Sequence, residues 1–157
     1  MRGRITARQL ANYIINLCIA DGQPVSNLQL QKIMYLIQAY FLRRDHKPLF
    51  DEDFRAWKYG PVIPEVYREF AMNVGSPITH RCNDEDLSEL SPGDIKLIKQ
   101  MVKAYREYYP WVLVDKSHQQ NGAWAKTYKN GAGYGNVISK ESITRDMSLR
   151  DNVTHGS

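Results

Sequence analysis

Few side chains in this sequence stand at spacings that support covalent or metal chemistry. His80-Arg81-Cys82 is the one close His/Cys pair, and a zinc site needs a second pair at ligand spacing, which does not follow. Cys18 falls among apolar residues with no cation expected on its helix face, so it reads as a small hydrophobe rather than a thiolate nucleophile. His118 follows Ser117, but sequence neighbours point to different sides of a helix, and a capping or packing histidine is the better reading. Gly131-Ala132-Gly133-Tyr134-Gly135 precedes a helix start, whose unpaired N–H groups suit an anion. It lacks both the Gly-Lys-Ser/Thr of a P-loop and the preceding strand of a dinucleotide fold, and reads as a linker. No catalytic residue, metal ligand or cofactor is expected, and the chain is not read as an enzyme.

Recognition chemistry is better represented. The sequence holds three Trp and ten Tyr, many beside Lys or Arg, as in Trp57-Lys58-Tyr59 and Tyr105-Arg106-Glu107-Tyr108-Tyr109-Pro110-Trp111. These types anchor protein interfaces because they bury a large area at small entropic cost and still offer a polar tip. Trp111 and Trp124 read as core, whereas for Lys58 and Tyr59 interface and core stand equal. A second recognition reading concerns DNA: Ser26, Asn27, Gln29, Gln31 and Lys32 would meet base edges or phosphates if their helix lay in a major groove. The link before that helix is longer than the turn of a usual helix-turn-helix, and Gln29 already has a capping role. A DNA-binding regulator of its own operon, using the N-terminal helix pair, is therefore the alternative rather than the first reading.

The elements that position these residues are marked by a device that occurs four times. Ile5-Thr6-Ala7-Arg8-Gln9-Leu10 and Val25-Ser26-Asn27-Leu28-Gln29-Leu30 each combine a hydroxyl cap, a Gln three residues on, and a flanking apolar pair. Leu90-Ser91-Pro92-Gly93-Asp94-Ile95 repeats the device with Pro at the first helical position, and Ile138-Ser139 before Ile143 is a weaker copy. The spacing of apolar residues predicts helices over about 7–21, stopped by Asp21-Gly22, and about 27–44, ended before Pro48. Residues 53–59 alternate like a half-buried strand, with Gly60-Pro61 as the turn. Pro64 opens a third helix carrying Val66, Tyr67 and Phe70 and closing near Gly75. Residues 76–90 read as a loop, with a brief strand around Ile78 pairing with 54–58. Further helices are expected from Pro92 to about Tyr108, over Trp111–His118, over Ala123–Lys129 and after Ser139. The fold class is mainly α: a compact helical domain of about six to seven helices, with at most a small two-stranded β element. One domain spans 1–150, and 151–157 is a frayed tail.

Composition agrees with that scale. The 157 residues are 43% hydrophobic and 24% charged, which suits one globular domain and excludes a disordered chain. Asn12, Asn16 and Asp21 interrupt the first apolar segment and Gln29, Gln31 and Lys32 the second, so neither reaches the roughly 20 apolar residues of a membrane span. Two cysteines are too few for a disulfide scaffold, and with no cleavage site after Met1-Arg2-Gly3-Arg4 a cytoplasmic location is expected. The formal charge is +4, compatible with an acidic partner without requiring one.

Three ordered blocks carry a more specific signal: Leu30 to Tyr40, Lys47-Pro48-Leu49-Phe50-Asp51-Glu52, and Ala56-Trp57-Lys58-Tyr59-Gly60-Pro61-Val62-Ile63-Pro64-Glu65-Val66-Tyr67. Together they resemble the Panacea family of SocA-like antitoxins, often carried by prophages and plasmids. His118, Gly122, Trp124 and the stretch from Asn136 to Ile143 resemble that family's C-terminal half, with Ala123 where the family usually has Pro. The resemblance implies a non-enzymatic antitoxin that binds a cognate protein toxin directly. The toxins of the family have several unrelated folds, small alarmone synthetases among them, and a SocA-like member also hands its toxin to the ClpXP protease. Within the motif, Leu30, Ile33, Met34, Ile37 and Trp57 are expected in the core. Gly60, Pro61, Pro64, Tyr67, His118 and Trp124 are expected as structural motif residues. Gln31, Lys32, Tyr35, Lys58 and Tyr59 are expected to meet the partner.

Overall fold

The computed structural model describes residues 3–108 and 122–146. Helices α1 (Ala7–Ala20) and α2 (Asn27–Asp45) open with the capping boxes read from the sequence. The Thr6 and Ser26 hydroxyls accept from the Gln9 and Gln29 backbone N–H groups, and each Gln side chain accepts in return from its cap N–H. Such a cap contributes about 1 kcal/mol. After α2, which closes on a left-handed His46 (φ 55°), come strands β1 (Phe54–Trp57) and β2 (Gly60–Val62). Helix α3 (Pro64–Glu69) follows, with a 3-10 turn at 71–73. Then come α4 (Pro92–Tyr105), α5 (Ala123–Tyr128), strand β3 (Val137–Ile138) and α6 (Lys140–Thr144). The fold is predominantly helical, with six α-helices among the described residues. None of them is long and apolar enough to cross a membrane.

Four local expectations are corrected. The sheet has three strands, not two, in the order β2-β1-β3. The hairpin turns at Lys58-Tyr59, while Gly60 and Pro61 lie inside β2, opposite Trp57 and Ala56. Proline is tolerated there because β2 is an edge strand and the missing N–H leaves no rung of the ladder open. Ile78 does not pair with 54–58. Its N–H instead donates to the Val25 carbonyl at 2.9 Å, beside a bridge between Pro77 and Ser26. Helix α4 stops at Tyr105, three residues short of the expected end. The helix expected over 111–118, with Trp111 and His118, and the tail beyond Arg150 lie outside the described residues.

Thirteen of the 19 residues of α2 are buried, including Gln31, Lys32 and Gln38. A helix covered on nearly every side is the centre of a domain rather than one of its faces, and α1, α4, β2 and α6 all pack on it. Its buried amides must then find partners inside. Gln38 does so by accepting from the Leu49 N–H (2.8 Å) and donating to the Phe50 carbonyl (2.9 Å), which fixes the irregular chain ahead of β1.

α1 uses the same device. Asn16 accepts from the Cys82 N–H and donates to the Cys82 carbonyl, both at 2.8 Å, and Asn12 donates to the Asn83 carbonyl. Two asparagines four residues apart thus hold a strandless segment chiefly by its backbone, and Asn16 also donates to the Glu85 carboxylate at 2.7 Å. Asn16→Ala is expected to cost about 2 kcal/mol, because it strands a partly buried N–H and carbonyl. Hydrogen exchange at the Cys82 amide should accelerate more than exchange within α2; uniform acceleration would mean that the segment is not held locally.

Both described arginines near the start of the chain, Arg4 and Arg8, are in ion pairs. Arg4 pairs with Asp45 (3.0 Å) and Asp94 (3.3 Å), Arg44 with Asp94 (2.9 Å), and Arg8 with Glu69 (3.0 Å). The Arg44 guanidinium holds the Asp45 and Asp94 carboxyls below the usual carboxylate range.

Candidate partner interface

The five motif residues expected at the partner surface separate into two groups. Lys58 and Tyr59 form the two-residue tip between β1 and β2, where both are exposed and Tyr59 keeps 59% of its surface in solvent. The Lys58 ammonium stands 5.5 Å from the centre of the Tyr59 ring. The tip closes on Gly60, whose φ of 118° is conformational space that other residues rarely enter.

Gln31, Lys32 and Tyr35, by contrast, are wholly buried. Gln31 accepts from the Ile63 N–H at 2.9 Å and donates to the Asn27 side-chain oxygen at 3.0 Å. Asn27 in turn donates to the Tyr67 and Phe70 carbonyls at 3.0 and 3.1 Å. Lys32 reaches the Pro61 carbonyl at 2.9 Å, and burial lowers its pKa from 10.5 to about 7. The Tyr35 ring meets Phe54 edge-on at 5.1 Å, and burial pushes its hydroxyl well above the ordinary tyrosine range, with the Asp146 carboxylate adding to the shift. These three side chains therefore fasten β1, β2 and α3 to α2 and present no surface to a partner in this fold. The period of α2 allowed an exposed stripe for them; the sheet and α3 lying across that stripe removed it.

The same burial removes α2 as a DNA-recognition helix. Ser26, Asn27, Gln31 and Lys32 are each at most 3% exposed, and Gln29 is engaged in its capping box. A major-groove helix needs those side chains free to reach base edges.

Around the tip, β1 alternates as its sequence suggested. Phe54 and Ala56 enter the core, while Arg55 and Trp57 face outward. Trp57 was expected in the core; it is half-buried, edge-on to Tyr67 at 5.1 Å. Its carbonyl accepts from the Trp124 indole N–H at 2.8 Å, so a contact between two motif tryptophans fixes α5 beside the hairpin. Leu30, Ile33, Met34 and Ile37 are buried as expected, and so are Gly60, Pro61, Pro64 and Trp124. Arg55 and Trp57 line an open cleft of about 500 Å³ together with Glu52, Asp53, Pro64, Glu65 and Arg68. Among the described residues no group of three His, Cys, Asp or Glu could hold a metal ion. His80 and Cys82 are exposed and half-buried respectively, and Cys18 is buried, its pKa raised chiefly by burial.

One structural residue escaped the sequence reading. Asp146 is 4% exposed and accepts from the Ala123 N–H at 2.9 Å, while its own carbonyl accepts from Arg43 at 3.1 Å. It caps α5 from 23 residues away, in place of Gly122, which has no side chain to do so. Nothing in local sequence marks a cap supplied from so far along the chain.

α2 is thus a buried helix whose amides bind backbone, and the β1–β2 hairpin that packs on it ends in an exposed Lys-Tyr tip. Residues 30–125 match the family described as antitoxin SocA-like, Panacea domain. Antitoxin SocA of Caulobacter vibrioides (strain NA1000 / CB15N) is 35% identical over 138 residues, covering 82% of this chain and 73% of that protein. The chain belongs to the SocA-like Panacea family. No solved structure matches it significantly.

Proposed function

We propose that this chain is an antitoxin that neutralises a protein toxin by binding it directly, with the Lys58-Tyr59 tip at the centre of the contact. Membership of a family named for an antitoxin supports the class. The exposure pattern supports the site: of the five polar-tipped motif residues, only Lys58 and Tyr59 reach solvent. A tyrosine on a rigid two-residue turn loses little freedom on docking and can fill a pocket while its hydroxyl stays paired. Occlusion of a toxin's active centre and delivery of the toxin to a protease such as ClpXP both begin with this docking step, so one surface serves either outcome.

A toxin encoded beside this gene should be lethal alone and harmless when co-expressed with this chain. Lys58→Glu combined with Tyr59→Ala is expected to abolish that rescue while the melting midpoint moves by no more than about 2 °C, since exposed substitutions rarely shift stability by more than about 0.5 kcal/mol. Lost rescue with a collapsed fold would assign the pair to the scaffold, and intact rescue would take the hairpin out of the contact.

A further inference from the structure

The hairpin tip and the glycine loop differ in charge from the rest of the molecule, including the adjoining cleft where Glu52, Asp53 and Glu65 meet Arg55. Over the whole chain 21 Lys and Arg face 17 Asp and Glu, yet residues 54–64 and 122–140 contain no acidic residue. The fold brings these two segments together. Gly135 donates to the Ala56 carbonyl (2.8 Å), Asn136 accepts from Ala56 (2.9 Å), and the Arg55 guanidinium donates to the Gly135 carbonyl (2.9 Å). The glycine-rich run is therefore not a free linker. A Cβ on Gly133 would stand 1.8 Å from the Thr127 carbonyl oxygen, so only glycine lets the loop fold back on α5. That return places Tyr134 against Tyr128 at 6.5 Å, and Tyr128 stacks on Trp124 at 4.7 Å.

Three of the six exposed large hydrophobic side chains among the described residues, Tyr59, Tyr134 and Val137, lie on this hairpin or on the loop and strand paired with it. Lys58 and Lys129 belong to the same two segments and are exposed, in no ion pair with a described residue. Clustered apolar exposure of this kind marks an interaction surface, and unneutralised charge at its rim selects the sign of the partner.

We propose that the partner docks across the hairpin tip and the glycine loop together, and that it presents an acidic segment, carboxylates around an apolar centre, to Lys58, Lys129, Tyr59 and Tyr134. The inference rests on the antitoxin reading and specifies the chemistry of its contact. Two lysines without an ion pair to a described residue suit a few carboxylates, whereas affinity for nucleic acid is built from many neutralised phosphates.

The test uses no toxin, so its failure is separate from failure of the rescue assay. The probe is a fluorescein-labelled peptide of about 12 residues, Glu and Asp around a central Leu pair, titrated with the full chain and followed by anisotropy. Binding should weaken about tenfold as salt rises from about 50 to 200 mM. K58E/K129E should weaken it at least about tenfold, while K96E/K99E, the same charge change on α4, should weaken it less than about threefold. Equal losses in the two variants, or no binding by the unsubstituted chain, would overturn the proposal. Tighter binding of an oligothymidylate of similar length would also overturn it, by assigning the patch to nucleic acid.

Discussion

The stability of this protein is expected to rise as pH increases from about 7 to 9, and Lys32→Met is expected to remove that rise. Lys32 is wholly buried, its one hydrogen bond among the described residues runs to a neutral carbonyl, and burial lowers its pKa from 10.5 to about 7. Between those values the unfolded chain binds a proton that the folded chain does not, so each pH unit adds about 1.4 kcal/mol to unfolding. The gain from pH 7 to 9 is about 2–3 kcal/mol, and below the folded-state pKa the full penalty of a buried ammonium is present. At higher pH the trend reverses: Tyr35 and Tyr105 are held protonated above the usual tyrosine range by burial, so the unfolded state loses those protons first. Urea unfolding at a series of pH values measures the curve. Lys32→Met keeps the stem, removes the ionisable group, and should be more stable than the natural chain at pH 6 and about equal to it at pH 9. A natural chain whose stability is flat or falls between pH 7 and 9 would mean that Lys32 keeps its proton through an ionic partner.

Gln31→Met is expected to unfold the protein far more readily without touching its partner surface. The substitution conserves length but leaves the Ile63 N–H and the Asn27 side-chain oxygen without their partner, at about 1–3 kcal/mol each. A total near 2–4 kcal/mol lowers the melting midpoint by about 5–15 °C for a domain of this size. Rescue from a toxin, assayed well below the new midpoint, should persist. The opposite combination, an unchanged midpoint with lost rescue, is the outcome expected for Lys58 and Tyr59, and found for Gln31 it would return that residue to the interface. The two motif segments thus give opposite signatures under the same pair of measurements.

The contrast between these residues shows where local sequence stops being informative. Helix starts were legible because a hydroxyl cap is satisfied within four residues: Thr6, Ser26, Ser91 and Ser139 all accept from the N–H three residues on. The alternation of β1 and the burial of Leu30, Ile33, Met34 and Ile37 were legible for the same reason, since periodicity states which residues share a face. The third strand, the trans cap from Asp146 and the anchoring of the glycine loop were not. Each depends on a partner tens of residues away, and nothing near Val137 encodes its pairing with Arg55.

The sequence alone determined the helical class, the placement of most elements and the family to which the chain belongs, because those rest on short-range hydrogen bonds, apolar period and an ordered motif. Only the tertiary structure decided which polar motif residues face water. Gln31 and Lys32 lie under β2 and α3, where burial forces them onto backbone partners, while Lys58 and Tyr59 sit on a turn that no other described element covers. Burial is set by what packs over a residue, and that is a property of the whole chain.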